Sequence, residues 1–329
     1  MRPLFHPSLV NGRFGDPALY VETQFESRAV LFDLGDIAAL APRKILRTEY
    51  AFVSHLHIDH FIGFDHLLRL NVGREKTIRL YGPEGFVDSV HHKLRAYNWN
   101  LVDRYDTDLV FDVTEIAADL GWRRVRFRFK ARFALEDAGC GSAVDGVLVD
   151  EPTFRVSAAV LDHRTPCLGY AIQEAAHVNV WKPRLAALGL PVGSWLRDLK
   201  RAIVTGEDDE YPVRLPDGTM KPLRVLRDAV TVTEGQKIGY ITDVAATPAN
   251  REAILALVRN ADLLFIEAAF AEAEAALAAD RAHLTTRQAG EIARAACARR
   301  VEPFHFSPRY AGEEARMLDE VSRAFGQAV

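Results

Sequence analysis

The chain has 329 residues, 49% of them apolar and 26% charged, with a formal net charge of −4. That length suits one large domain or two small ones, and the composition is that of a globular protein with a sizeable core. The charge gives no global attraction to nucleic acid, and three scattered cysteines, Cys140, Cys167 and Cys297, speak against a disulfide framework or a cysteine-rich zinc site.

The first residues, MRPLFHPSLVNGRF, lack the apolar run of a signal peptide, and no stretch approaches the ~20 apolar residues of a membrane span. A cytoplasmic chain with no membrane partner is expected. In chain order, Ala18–Glu22 and Arg28–Asp33 read as paired strands, and Glu49–Ser54 as a third, ending at a histidine cluster. Phe61–Leu70 has helical spacing. Thr77–Tyr81 is a strand stopped by Gly82-Pro83, and Val125–Phe133 alternates apolar and basic residues as a half-buried strand does. Phe154–Leu161 and Leu168–Ile172 read as a strand pair flanking His163. From Glu174 to Val230 five prolines interrupt the pattern, so an inserted arm or lid over 174–230 is expected within a single 1–329 domain. Strands Lys237–Thr242, Leu263–Glu267 and Val301–His305 then alternate with helices Pro248–Arg259, Thr286–Ala298 and Ala311–Phe325. Strands and helices mixed in this way make the class α/β or α+β.

The run Ser54-His55-Leu56-His57-Ile58-Asp59-His60 carries the chemistry. Three imidazoles and a carboxylate within six residues, just after a strand, can turn toward one point. Neutral imidazole suits zinc, and a carboxylate suits a second ion or its bound water. A chance run of surface histidines, such as His91-His92, is the bland alternative. Two ions need further ligands, which should stand at other strand ends. His163, Asp243 and His305 stand there, although each alone reads more readily as a core, surface or turn residue.

Taken together, the His55-x-His57-x-Asp59-His60 motif with distant His163, Asp243 and His305 resembles the metallo-β-lactamase superfamily. Further segments resemble its ribonuclease Z branch: Leu31-Phe32-Asp33-Leu34-Gly35, Tyr81-Gly82-Pro83-Glu84-Gly85, Leu161-Asp162-His163, Glu267-Ala268-Ala269-Phe270, His283-Leu284-Thr285 and Phe304-His305-Phe306-Ser307-Pro308-Arg309-Tyr310. The resemblance spans about residues 28–312. It implies an α/β, αββα metallo-β-lactamase sandwich and two zinc ions, with manganese or iron as alternatives. His55, His57 and His163 would hold one ion; Asp59, His60 and His305 the other; Asp243 would bridge them. Asp33 would steady the metal-binding loop, Asp59 would orient and deprotonate the attacking water, and His283, oriented by Glu267, would protonate the leaving oxygen. Arg309 is a candidate phosphate contact, or else a structural ion pair.

The implied activity is endonucleolytic cleavage of precursor tRNA 3′ trailers or related RNA. A small-molecule hydrolase acting on cyclic nucleotides, other phosphodiesters, lactones or thioesters is the alternative; a metal-free RNA-binding or scaffold protein is a third. Three departures bear on the substrate. Leu9–Asp16 keeps only Gly12 and Gly15 of an expected glycine-rich loop, Asp36-Ile37-Ala38-Ala39 replaces an expected Glu-Gly-Thr-Gln-like run, and Ala269 replaces an expected threonine. In the arm, Lys182, Arg184, Arg197, Lys200 and Arg201 could meet phosphates, while the acidic Glu207–Glu210 run favours a lid or a homodimer contact.

Overall fold

The computed structural model describes residues 4–24 and 27–326. Eight strands in sequential order form the first sheet: β1 (Phe5–Leu9), β2 (Leu19–Thr23), β3 (Ala29–Phe32), β4 (Thr48–Phe52), β5 (Lys76–Pro83), β6 (Leu109–Ile116), β7 (Gly121–Arg128) and β8 (Leu135–Ser142). β3 to β6 are parallel, so β3 and β4 end on the same side. Helices α1 (Pro42–Arg47), α2 (Ile58–Phe61), α3 (Phe64–Asn71) and α4 (Phe86–Arg95) provide the crossovers. Their apolar residues, including Phe64, Leu67, Phe86 and Val90, close one core against Leu31, Leu80, Phe111 and Val125.

β9 (Val147–Asp150), β10 (Phe154–Asp162) and β11 (Pro166–Glu174) begin a second sheet. The chain then enters a separate compact unit, Glu174–Gly235. This unit contains β12 (His177–Val180), α5 (Lys182–Ala187), α6 (Leu196–Val204), β13 (Pro212–Arg214), β14 (Met220–Pro222), α7 (Leu223–Arg227) and β15 (Val230–Thr233). Leu185, Leu199, Leu223 and Leu226 are fully buried in a small core of its own. The segment is therefore regular structure rather than an irregular excursion, and it ends at Gly235 instead of Val230.

The larger unit resumes with β16 (Lys237–Ile241), α8 (Pro248–Val258), β17 (Leu263–Glu267), α9 (Ala275–Arg281), α10 (Thr286–Ala295), β18 (Val301–Phe304) and α11 (Glu314–Phe325). β16, β17 and β18 are parallel. β17, with the sequence Leu-Leu-Phe-Ile-Glu, is buried along its whole length, as a parallel strand covered on both faces must be. One face of this sheet packs on α8, α10 and α11 through Ile254, Ile292, Met317 and Val321. Its other face meets the first sheet, where Phe32, Phe52, Tyr170, Tyr240 and Phe265 interdigitate. The layers are therefore helix, sheet, sheet, helix. Among the described residues no helix is long and apolar enough to cross a membrane.

One expected element is corrected. Val125–Phe133 is not a single strand: β7 stops at Arg128, and Arg132 and Phe133 take left-handed backbone angles, with φ of 52° and 54°. The turn brings Phe133 against Trp99 at 4.8 Å, burying a ring that a continued strand would leave pointing elsewhere. Packing overrides the alternation there.

Candidate metal centre

The chemistry-bearing residues gather where strands of both sheets end. Asp33 follows β3, His55 to His60 follow β4, His163 follows β10, Asp243 follows β16, Glu267 closes β17 and His305 follows β18. Crevices beyond the carboxyl ends of parallel strands are the usual place for ligands in α/β sheets. Asp33, Asp243 and His305 all have left-handed backbones, with φ of 59°, 39° and 58°. Such conformations cost free energy in residues other than glycine and mark sites where the chain is bent to aim a side chain.

Asp33 is fully buried and accepts four hydrogen bonds: from Ser54 N at 2.6 Å, Ser54 Oγ at 2.9 Å, His60 Nδ1 at 2.8 Å and Tyr240 OH at 2.8 Å. Both of its oxygens are engaged, three bonds converging on Oδ2, so it positions the loop rather than offering a ligand. The helix after the loop is sewn down as well: Leu34 N bonds His60 O and Gly63 N bonds Leu34 O, each at 2.8 Å. A Cβ at Gly63 would meet Gly35 O at 2.1 Å, so this approach of backbone to backbone requires glycine.

Three of the ligand-type histidines have their second nitrogen held: His60 by Asp33, and His163 and His55 by other neighbours. His163 Nδ1 donates to Ala282 O at 2.8 Å, and His55 Nδ1 lies 3.0 Å from Ser54 Oγ. His55 Nε2 and His60 Nε2 are buried with no hydrogen-bond partner among the described residues. Both aim at Asp243 Oδ2, from 3.5 and 3.4 Å, and His163 Nε2 stands 3.6 Å from the same oxygen. Asp59 Oδ2 lies 3.4 Å from both His60 Nε2 and His305 Nε2. His305 Nδ1 is 3.0 Å from Asp243 Oδ1, without the alignment of a hydrogen bond. Ligands about 2.1 Å from a tetrahedral ion stand about 3.4 Å apart, which is the spacing of most of these pairs. The donor set fits a metal centre. His55, His57, His163 and Asp243 form one group whose ligand atoms lie within 4.8 Å of one another, and Asp59, His60 and His305 form a second.

The electrostatics divide the cluster. Burial, reinforced by the neighbouring His60, pushes His55 down to about 2. Burial also lowers His57, helped by His163. Burial opposes charge on His305 too, but the Asp243 carboxylate and the contact with Asp59 raise it to about 10. His60 is raised against burial by Asp243 and Asp33. Both carboxylates stay ionised despite burial, Asp59 through its contacts with His305 and His60, Asp243 through the charges of His305 and His60. The negative field that attracts protons to His60 and His305 equally favours a cation beside them.

A cavity of ≈ 270 Å³ opens beside this cluster, walled by Asp59, His283 and His305, by Phe14 to Asp16, and by Ala269, Phe270 and Phe306 to Pro308. His283 Nδ1 is 3.0 Å from Glu267 Oε2, and Glu267, fully buried, also accepts from Val244 N at 2.7 Å. Burial works against protonating His283, but the Glu267 charge and hydrogen bond raise it above its ordinary value. Arg309 lies outside the cluster. Its exposed guanidinium pairs with Glu274 at 3.1 Å and stacks over Phe270 at 5.5 Å. Sequence reasoning passed over Ser54 and Tyr240, whose hydroxyls hold Asp33, whereas the cavity walls Phe14 and Asp16 lie in the Leu9–Asp16 segment it set apart as bearing on the substrate. Only Ser54, lying beside the histidines, had a local signal.

Residues 228–306 match a β-lactamase superfamily domain. The chain is 31% identical over 299 residues to ribonuclease Z of Deinococcus radiodurans, covering 90% of this chain and 87% of that one. It is also 31% identical over 304 residues to ribonuclease Z of Geobacillus kaustophilus, covering 89% and 83%. The chain belongs to the ribonuclease Z family. It is accordingly a metal-dependent hydrolase of the metallo-β-lactamase fold. Solved structures agree on that fold. Human tRNase Z, short form, superposes with a TM-score of 0.54 at 21% identity, covering 93% of this chain and 91% of that one. A metallo-β-lactamase fold protein from Bacillus subtilis gives 0.54 at 16% identity, covering 97% and 92%.

Proposed function

We propose that the chain is a dinuclear phosphodiesterase that cleaves the 3′ trailer from precursor tRNA. His55, His57 and His163 would hold one cation, Asp59, His60 and His305 the other, and Asp243 both, with zinc the ion its imidazole-rich set suits and manganese or iron as alternatives. Such ions, when bound, lower the pKa of water and neutralise charge on phosphoryl oxygens.

The observation that carries the reading is the pair His283–Glu267, which shares one cavity with Asp59 and His305. An alkoxide leaving group needs a proton, and His283, whose protonated form Glu267 favours, can supply it from its second nitrogen. A thioester, whose thiolate leaves readily without a proton, has less need of such a donor. Asp59, with its carboxylate ionised and partly open to the cavity, orients the attacking water and takes its proton. Asp33 keeps His60 in the tautomer whose Nε2 is free.

RNA is favoured over a small diester by the Glu174–Gly235 unit, which displays Arg197 and Lys200 on the exposed face of α6, neither in an ion pair among the described residues. The acidic run that suggested a lid is engaged internally, Asp209 with Arg227 and Glu210 with Arg224. The three free cysteines fit a reducing compartment, and we assign the cytoplasm. Metal analysis of the purified protein, with precursor tRNA assayed beside bis(p-nitrophenyl) phosphate and 3′,5′-cyclic AMP, tests the proposal. Two ions per chain and tRNA cleavage are expected. Turnover of the small esters alone would establish the small-molecule reading instead.

A further inference from the structure

We propose that Thr242 is a positioning residue of the metal centre: its hydroxyl holds Oδ1 of Asp243 and so leaves Oδ2 as the oxygen presented to both groups of ligands. The inference rests on the dinuclear reading above. Thr242 follows β16 directly and is fully buried. Its Oγ1 lies 2.9 Å from Asp243 Oδ1. A carboxylate can only accept, so the hydroxyl donates, and a bond to an ionised acceptor is about twice as strong as a neutral one. Branching at Cβ stiffens the threonine at χ1, so its hydroxyl has little freedom to leave that oxygen.

The carboxylate needs this hold because it is the one part of Asp243 that the backbone does not fix. Cys167 Sγ donates to Thr242 O at 3.6 Å, Val244 N to Glu267 Oε1 at 2.7 Å and Ala245 N to Asp162 O at 2.9 Å. The chain is thus pinned before and after the left-handed Asp243. What remains is rotation of the carboxylate about its last torsion, which is broad and roughly two-fold in aspartate. His305 competes for Oδ1: its buried Nδ1 has no hydrogen-bond partner among the described residues and stands 3.0 Å away, out of line. Rotation into line with His305 would swing Oδ2 off the other imidazoles, and the Thr242 bond opposes it.

Both groups of ligands converge on Oδ2. His55 Nε2 and His163 Nε2, of one group, stand 3.5 and 3.6 Å from it, and His60 Nε2, of the other, 3.4 Å. Cations that share one oxygen are closer together, and more strongly coupled, than cations on the opposite oxygens of a carboxylate. The Thr242 hydroxyl therefore governs how the pair is coupled without touching either ion. Loss of a partner behind a metal ligand also weakens metal affinity, typically about 10- to 100-fold.

The full chain loaded with manganese(II) provides the test, because the electron paramagnetic resonance of a manganese pair reports how strongly its two ions are coupled. Thr242→Val keeps the branched shape and loses the hydroxyl; Thr242→Ser keeps the hydroxyl and loses the methyl. The valine variant should bind manganese about 10- to 100-fold more weakly, and its coupled signal should give way to that of uncoupled ions. The serine variant should keep both the affinity and the coupled signal of the wild type. Should valine disturb folding, as a lowered thermal midpoint would show, Thr242→Ala set beside Thr242→Ser isolates the same hydroxyl, and the same contrast is expected. Valine with wild-type affinity and coupling, or serine and alanine that behave alike, would overturn the inference alone. Wild-type protein that binds fewer than two manganese ions per chain would overturn it together with the dinuclear centre proposed above.

Discussion

Asp33→Asn is a sharp test of how the centre is held, because it alters one atom of a side chain that receives four hydrogen bonds. Ser54 N bonds Oδ1, and Ser54 Oγ, Tyr240 OH and His60 Nδ1 converge on Oδ2. An asparagine must put its NH₂ at one of these two places. At the Oδ1 position it faces the Ser54 N–H and leaves that buried donor unsatisfied, at a cost of ~1–3 kcal/mol. At the Oδ2 position the two hydroxyls can turn to accept, but His60 must move its proton to Nε2. That nitrogen now lacks a hydrogen-bond partner and aims at Asp243 and Asp59, 3.4 Å from each. Either orientation damages something, and the second removes a metal ligand without touching it. Loss of such an outer partner typically weakens metal affinity about 10- to 100-fold. The variant should therefore lose affinity for the ion assigned to Asp59, His60 and His305 by that factor, while the ion at His55, His57 and His163 binds nearly as before. Competition with a chromophoric chelator would separate the two events, and thermal unfolding would report the first orientation as a lowered midpoint. Two ions bound at wild-type affinity, with an unchanged midpoint, would refute the reasoning.

The remaining expectations are briefer. Asp243→Ala should bind neither ion firmly, whereas His305→Ala should keep one, because the Asp243 carboxylate lies beside His55 and His163 of one group and beside His60 and His305 of the other; metal content per chain decides. His283→Ala should retain its metal but lose roughly 10²–10⁴-fold in kcat on RNA, and lose much less on a p-nitrophenyl ester, whose leaving group needs little protonation. An equal loss on both substrates would make His283 structural. Replacing residues 174–235 by a short Gly/Ser linker should abolish precursor-tRNA cleavage and spare bis(p-nitrophenyl) phosphate hydrolysis, since every proposed ligand lies in the other unit. Full tRNA cleavage by that variant would rule out a substrate role for the arm.

The fold was legible where burial is continuous or a cap is local. The apolar run of β17 was read with its observed bounds, and α10 starts where Thr285 and Gln288 form a reciprocal capping box. β6 was passed over although its residues alternate, and α4 although Phe86, Val87, Val90 and Leu94 mark its buried face. The prolines of residues 174–230 misled for a physical reason. Pro183 lies in the first turn of α5, Pro212 opens β13 and Pro222 precedes α7, places where proline's fixed φ and missing N–H do no harm. Proline counted as a breaker of structure was in fact marking where structure begins.

The site divides along the same line between local and distant information. The spacing from His55 to His60 is visible because those residues share one loop, and His163, Asp243 and His305 could be proposed because each follows a strand. Partners brought together by folding leave no such trace. Tyr240 reaches Asp33 across 207 positions, and Arg13 reaches Glu302 across 289. Arg309 shows how this limits an argument from adjacency. Four residues past His305 it looks poised for a phosphate, yet its guanidinium is drawn to Glu274 at 3.1 Å and lies over the Phe270 ring. Phe270 in turn walls the cavity and stands 5.9 Å from the His283 ring. The exposed ion pair itself is worth little, ~0–1 kcal/mol, so what Arg309 contributes here is placement of an aromatic wall. Arg309, read from sequence as either a phosphate contact or a structural ion pair, forms the ion pair with Glu274 and lies over a residue that lines the cavity.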